Sequence, residues 1–144
     1  MDSVTGGCQC GRTRYEARGV PQSLCFCHCR SCRRASGAPL VAWGTFAFEQ
    51  FRVLEGSAYA VHRSSPPVER GYCTACGTAL TYRHQERAAE IDVTLATLDD
   101  PARFVPECHI WVEDRLPWFV IGDGRPQYAR WRDPGPAPAA PGAG

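Results

Sequence analysis

The sequence predicts an all-β domain, and three observations carry that reading. Short apolar or alternating stretches recur at close spacing. Fourteen Gly and twelve Pro punctuate the 144 residues. Only one stretch reads as a helix. Short strands separated by turn residues argue for packed sheets rather than for helices covering a parallel sheet. The 44% hydrophobic and 22% charged fractions are ordinary for a globular domain and exclude a wholly disordered chain.

The elements follow in chain order. Arg12–Ala17 alternates and is rich in strand formers. Leu40–Phe48 (LVAWGTFAF) is a longer apolar run with a glycine inside it, as in a bulged or buried strand. Phe51–Leu54 and Ala58–His62 flank Glu55-Gly56-Ser57, which reads as a hairpin turn. Gly71–Cys73, Thr78–Tyr82 and Glu90–Thr94 are further short strands. Cys108–Val112 alternates again, and Trp118–Ile121 is a short apolar run before Gly122-Asp123-Gly124. Ser31–Ser36 is the helical stretch, and Gly37 is placed to stop it. One domain over 1–133 is expected. The remainder, 134–144, reads PGPAPAAPGAG; a tail of Pro, Gly and Ala alone builds no core and is expected to be disordered.

Sixteen basic residues, all Arg, stand against fifteen acidic ones, for a net charge of +1. That surplus is too small for broad electrostatic attraction to nucleic acid, so no nucleic-acid partner is expected. No stretch approaches the roughly 18 uninterrupted apolar residues of a membrane span. Met1–Gly7 has neither a basic nor an apolar signal segment, so a cytoplasmic location is expected.

Nine cysteines are the unusual count. The odd number and the missing signal segment argue against a disulfide scaffold. Clustered thiols in a reducing compartment bind metal or do chemistry. Two constellations stand out. Cys8-Gln9-Cys10-Gly11 opens the domain, and Cys73-Thr74-Ala75-Cys76-Gly77 forms a CxxCG knuckle far downstream. Each pair is followed by a glycine, which permits the positive φ of a tight metal-clasping turn. Together they offer four thiolates, the closed set of a structural tetrahedral zinc.

The second constellation is Leu24–Gly37, LCFCHCRSCRRASG. Cys27, Cys29 and Cys32 form C-x-C-x-x-C, three ligands with a fourth position open to substrate or water, as in a catalytic zinc. Cys25 shares their alternation, and if it closes the shell the site becomes structural. His28 alternates out of the cluster and is expected to pack or to brace it. Arg33 and Arg34 are candidates to receive a substrate carboxylate in a guanidinium fork. Candidate proton donors are His109, Glu113 and Asp114, the last two reading also as surface turn residues. Trp43, Trp111, Trp118 and Phe119 are expected to serve the core more than a pocket wall.

These motifs bring a family into view. GGCQCGRTRYEA, CHCRSCRRASGAP, GYCTACGTALTYR and PECHIWVEDRLPWFVIGDGRP, spread from Gly6 to Tyr128, resemble the glutathione-dependent formaldehyde-activating enzymes, a family that includes the centromere protein V domain. The resemblance implies a β-tent fold of short antiparallel sheets. It implies two zinc ions per chain: a structural one on Cys8, Cys10, Cys73 and Cys76, and a second on Cys27, Cys29 and Cys32. It implies carbon–sulfur lyase chemistry on a small thiol such as glutathione and a small aldehyde, giving S-hydroxymethylglutathione in the family's named reaction. Cys25 and Cys108 lie outside the family's seven ligands, and Cys108 reads as a buried strand thiol. Two other readings remain: a non-catalytic, zinc-stabilised binding or scaffold module, and a redox sensor using Cys25 or Cys32.

Overall fold

The fold is taken from a computed structural model, which describes residues 2–132. The tail expected over 134–144 lies outside the described residues, as do Met1 and Asp133. Strand is the main regular structure of the described chain, with one α-helix beside it. In order come β1 (Ser3–Gly7), β2 (Arg14–Arg18), β3 (Ser23–Cys27), α1 (Arg30–Ser36), β4 (Val41–Ala47), β5 (Phe51–Val53) and β6 (Tyr59–Ser65). They are followed by β7 (Val68–Cys73), β8 (Ala79–His84), β9 (Glu90–Thr94) and β10 (Cys108–Ile110). Two sheets result, a three-stranded one in the order β1-β2-β5 and a seven-stranded one in the order β10-β3-β4-β9-β8-β7-β6. The expectation of an all-β fold built on short strands is met. Pairing is antiparallel except between β10 and β3. No helix among the described residues is long and apolar enough to cross a membrane.

Strand alternation divides the large sheet into two faces with different tasks. On one face Phe46 of β4 opposes Ile91 of β9, with Val93 and Leu80 beside them. These pack against Val4, Tyr15 and Ala17 of the small sheet. Phe46 is fully buried, and burial of that kind contributes roughly 1.5–3 kcal/mol. The opposite face carries Cys25 and Cys27 of β3, Val41 and Trp43 of β4, Tyr82 of β8 and Val68 of β7. The cross-strand pairs Cys25–Trp43 and Cys27–Val41 set that register. This second face holds the thiols of Cys25 and Cys27, with Cys29, Cys32 and Cys108 beside them, and is covered by α1 and the Trp111 segment.

Two sequence expectations fail. Glu55-Gly56-Ser57 does form a turn, but not a hairpin: β5 pairs with β2, whereas β6 pairs with β7. The turn passes the chain from one sheet to the other, a choice made by distant partners rather than by the turn residues. Trp118, expected to serve the core, is exposed, as is Val120, and the short apolar run Trp118–Ile121 joins no sheet. No sheet edge takes their backbone groups, so apolar composition alone did not suffice. Conversely β1, SVTGG, gives a weak propensity signal because of its glycines, yet pairs with β2 along five residues. The β10 strand ends at Ile110 because Trp111 turns to φ 56° and starts a 3-10 turn over Val112–Asp114.

Candidate metal centres

The sulfurs of Cys8, Cys10, Cys73 and Cys76 all lie within 4.8 Å of one another. The chain closes this cluster with two turns. Gly11 (φ 81°) donates its amide to the Cys8 carbonyl, and Gly77 (φ 82°) to that of Cys73. Both glycines adopt the positive φ that their place after a Cys pair predicted. The Cys8–Cys10 and Cys10–Cys73 sulfur separations are 3.5 and 3.8 Å. A tetrahedron of Zn–S bonds near 2.3 Å requires edges of about 3.8 Å, so the donor set fits zinc in size as well as softness. The Thr13 amide donates to Cys8 Sγ at 3.2 Å, and the Thr78 hydroxyl lies 3.1 Å from Cys76 Sγ. Hydrogen bonds from the side chain and backbone of Thr78 bring the Cys76 thiol down to about 5, which readies it to bind metal as thiolate.

The second cluster is local. Cys27 ends β3, Cys29 caps α1 and Cys32 lies in its first turn. Their sulfurs also lie within 4.8 Å of one another, and all three residues are buried. Cys29 is an unusual cap: its sulfur, rather than an oxygen, accepts the Cys32 amide at 3.2 Å. The helix closes at Gly37, left-handed at φ 66°, whose amide bonds to the Arg33 carbonyl. That matches the stop expected there.

Cys25 is not in the cluster; the sulfurs gathered are those of residues 27, 29 and 32. It sits two residues up β3, buried, in register beside Cys108 of the parallel strand β10. The three-thiolate set therefore stands without a fourth cysteine. Cys108 is the buried strand thiol expected of it.

Arg70 is the residue that the sequence reading missed beside the cluster. It projects from β7, is 5% exposed, and places Nη1 and Nη2 at 3.9 and 3.8 Å from Cys32 Sγ. Its Nε donates to Ser64 Oγ at 3.1 Å, and its guanidinium carbon lies 5.1 Å from the Tyr82 ring centroid. Hydrogen bonds from Cys27 and Cys29 lower the Cys32 thiol, burial opposes them, and the Arg70 charge lowers it further, for a net value well below the usual thiol range.

His28 points away from the sulfurs, as alternation required. It is fully buried, and Nε2 lies 2.8 Å from His109 Nδ1, whose own Nε2 lies 2.7 Å from Asp123 Oδ2. Phe26 stacks on His109, and Phe119 meets His28 edge-on. Burial first, then His109, pushes His28 down to about 4, so the ring is neutral at physiological pH. This Asp–His–His chain runs from the surface to the backbone between Cys27 and Cys29.

Two cavities meet at Cys32. The larger, about 590 Å³, is bounded by Cys27, Cys32, Trp43, Tyr82 and Asp92, with Cys25 also in its wall. The smaller, about 250 Å³, is bounded by Cys32, Trp43, His62, Arg70 and Tyr72. Trp43 thus serves both as core and as the partition between them. Arg33 lies with Nε 3.4 Å from the His28 carbonyl, and Arg34 is exposed on α1; neither borders these cavities. Glu113 pairs with Arg130 at 2.7 Å on the 3-10 turn after β10, and neither it, Asp114 nor His109 borders them. Arg70, Asp92 and Tyr82 gave no local sequence signal. Each is a polar residue within a strand, and only strand pairing, with a register irregularity between β7 and β8 in the case of Tyr82, puts it on the thiol-bearing face.

The fold and the site define a class: a protein of two short-stranded sheets carrying a four-thiolate and a three-thiolate cluster, each able to hold a thiophilic metal ion. The family model of the glutathione-dependent formaldehyde-activating enzyme matches residues 3–114, and the chain belongs to that family. A Schizosaccharomyces pombe protein named as an uncharacterized lyase is 29% identical over 84 residues, 58% of this chain. The match spans 60% of that relative's length. A crystal structure of a Rhodobacter sphaeroides protein is 19% identical and superposes with a TM-score of 0.56, over 86% of this chain and 98% of that one. That likeness shows the fold alone.

Proposed function

We propose that this chain is a zinc-dependent lyase-type enzyme that makes or breaks the carbon–sulfur bond between a small thiol and a small aldehyde. Glutathione and formaldehyde are the pair named by its family, and the S. pombe relative's name is of the same reaction class. The observation that carries the reading is the second cluster: three buried sulfurs, no fourth cysteine among them, beside a cavity of about 590 Å³. Three protein ligands with an accessible neighbouring space is the arrangement of a catalytic zinc; four closed ligands is that of a structural one. The same cavity favours the enzyme over a scaffold module, in which both clusters would be closed.

In this reading Cys8, Cys10, Cys73 and Cys76 hold a structural zinc, and Cys27, Cys29 and Cys32 hold a second. When bound there, zinc supplies a soft Lewis-acid position at which a thiol is favoured in its deprotonated form. The chain's own residues do the rest. Arg70 lies against Cys32 and offsets the negative charge of three thiolates. Trp43 and Ile110 give the cavity an apolar wall that excludes water from the reacting carbon. The His28–His109–Asp123 chain holds the ligand-bearing loop in place. Arg33 and Arg34 are the proposed contacts for a substrate carboxylate reaching past the cleft. The whole of 1–133 works as one domain, in a reducing compartment such as the cytoplasm.

The test has two parts. Elemental analysis of protein purified under reducing conditions should give two zinc ions per chain. Exchange of ¹³C-labelled formaldehyde with its glutathione adduct, followed by NMR, should be faster with enzyme than without it. One zinc per chain together with no acceleration would remove the enzyme reading.

A further inference from the structure

The proposed reaction moves a proton from sulfur to oxygen, and one side chain in the larger cavity is suited to carry it. Asp92 lies on β9, opposite Thr45 of β4 and Tyr82 of β8. Its parity puts it on the thiol-bearing face, while Ile91 and Val93 on either side enter the core. The Asp92 side chain keeps 13% of its surface and borders the cavity that Cys27 and Cys32 also border.

Its partners leave the charge under-compensated. Thr45 Oγ1 donates to Asp92 Oδ1 at 2.6 Å. The cation nearby is Arg87, but Arg87 Nε donates to Glu90 Oε2 at 2.8 Å, whereas its Nη2 stands 3.8 Å from Asp92 Oδ1. A buried carboxylate with one short neutral hydrogen bond and a shared cation takes up a proton more readily than an exposed one. Burial, opposed by Arg87 and Thr45, brings the Asp92 carboxyl up to about 6. The other charged or titratable groups around it are Glu90 from its own strand, Tyr82 from β8, Cys25 from β3, Cys32 from α1 and Arg132 from the C-terminal segment.

We propose that Asp92 is the proton carrier of this cleft, taking the S–H proton as the thiol binds at the three-sulfur cluster and returning it to the aldehyde oxygen as the C–S bond forms. The step rests on the function proposed above. A sulfur lone pair attacks the carbonyl carbon, the C=O π pair moves onto oxygen, and that oxygen takes the proton held by Asp92. Thiol plus aldehyde give the hydroxymethyl thioether with no other reactant. In reverse, the Asp92 carboxylate removes the hydroxyl proton and the C–S bond breaks. Two proton transfers by one group at the same site are a usual economy of general acid–base catalysis.

The test counts protons as well as turnover. Zinc-loaded protein is titrated calorimetrically with glutathione at pH 7.5 in buffers of low and high ionisation heat. Wild type should release clearly less than one proton per thiol bound, because the thiolate charge arriving beside the cavity raises the proton affinity of Asp92 above that of the free site, and Asp92 retains part of the proton lost from sulfur. Asp92→Asn should release about one. Equal release by both proteins, with glutathione bound, overturns the proposal and leaves the thiol reading standing. No binding heat in wild type overturns that reading, and the proposal with it. Should Asp92→Asn fail to fold, Thr45→Val is measured instead. Removing that hydrogen bond should move the acid limb of kcat/KM, expected near pH 6 in wild type, upward. An unmoved limb overturns the proposal.

Discussion

The Arg70 guanidinium lies 3.8 Å from the Cys32 sulfur across the thiol-bearing face of the large sheet. The two residues stand on different elements, β7 and α1, and the contact is buried. It places a fixed positive charge where three thiolates would otherwise accumulate negative charge. In a water-poor site that charge acts on the ligand field of any ion bound there.

Arg70→Met, which keeps the apolar stem and loses the charge, should therefore weaken metal binding at the three-thiolate cluster by roughly 10–100-fold. Arg70→Lys should retain part of the affinity, since the charge remains and the fork geometry does not. Competition with a chromophoric chelator reads both. Unchanged affinity in Arg70→Met would show that the contact is packing alone.

The two clusters should separate under mutation. Cys76→Ser removes a ligand from the joint between the first ten residues and the middle of the chain, and should cost several kcal/mol of folding stability, because structural metal binding is folding free energy. Cys32→Ser should lower the zinc content from two to one and leave the fold in place. Thermal unfolding combined with metal analysis checks the pair. Wholesale unfolding of Cys32→Ser would assign Cys32 a structural role.

His109→Phe should preserve the stacking on Phe26 but leave His28 Nε2 buried without its partner. A buried polar group left unpaired costs about 1–3 kcal/mol. Because His28 lies between Cys27 and Cys29, the proposed zinc at the second cluster should also become more labile. Denaturant unfolding and chelator competition read the two effects. A stability loss with unchanged zinc release would confine the Asp123–His109–His28 chain to packing.

Asp92 should be a site where stability is given up for chemistry. Its folded pKa, about 6, is above its ordinary 3.8. The folded chain therefore binds the proton more tightly than the unfolded one, and stability falls as pH rises from about 4 through 6. At pH 7.5 the loss is complete. Asp92→Asn should accordingly be more stable than wild type there, by about 1–3 kcal/mol at a little over 1.3 kcal/mol per pKa unit. Denaturant unfolding of the zinc-loaded proteins at pH 7.5 measures it. A less stable Asp92→Asn would mean that the Thr45 hydrogen bond outweighs the burial of charge.

Much of this protein was legible before its fold was. Cys27, Cys29 and Cys32 lie within six residues, so a strand end running into one helical turn brings their sulfurs together with little help from elsewhere. Gly11, Gly37 and Gly77 announced turns and a helix stop that do occur, since left-handed backbone is a local property. The all-β class and most strands followed from alternation, which reports burial of one face. Strand partners did not follow. Glu55-Gly56-Ser57 looked like a hairpin, yet β5 and β6 join different sheets.

The sequence by itself thus determined the fold class, the three-cysteine cluster and each half of the four-cysteine cluster, because these rest on spacing along the chain, while the fold brought the two halves together across 63 residues. Tertiary structure alone decided three further matters: that Cys25 stays out of the three-sulfur cluster, that Arg70 lies against Cys32, and that Asp92 borders the same cavity. Each depends on which strand hydrogen-bonds to which and in what register. Register is set by cross-strand bonds between residues tens of positions apart, and a shift of one residue would send each of these side chains to the opposite face.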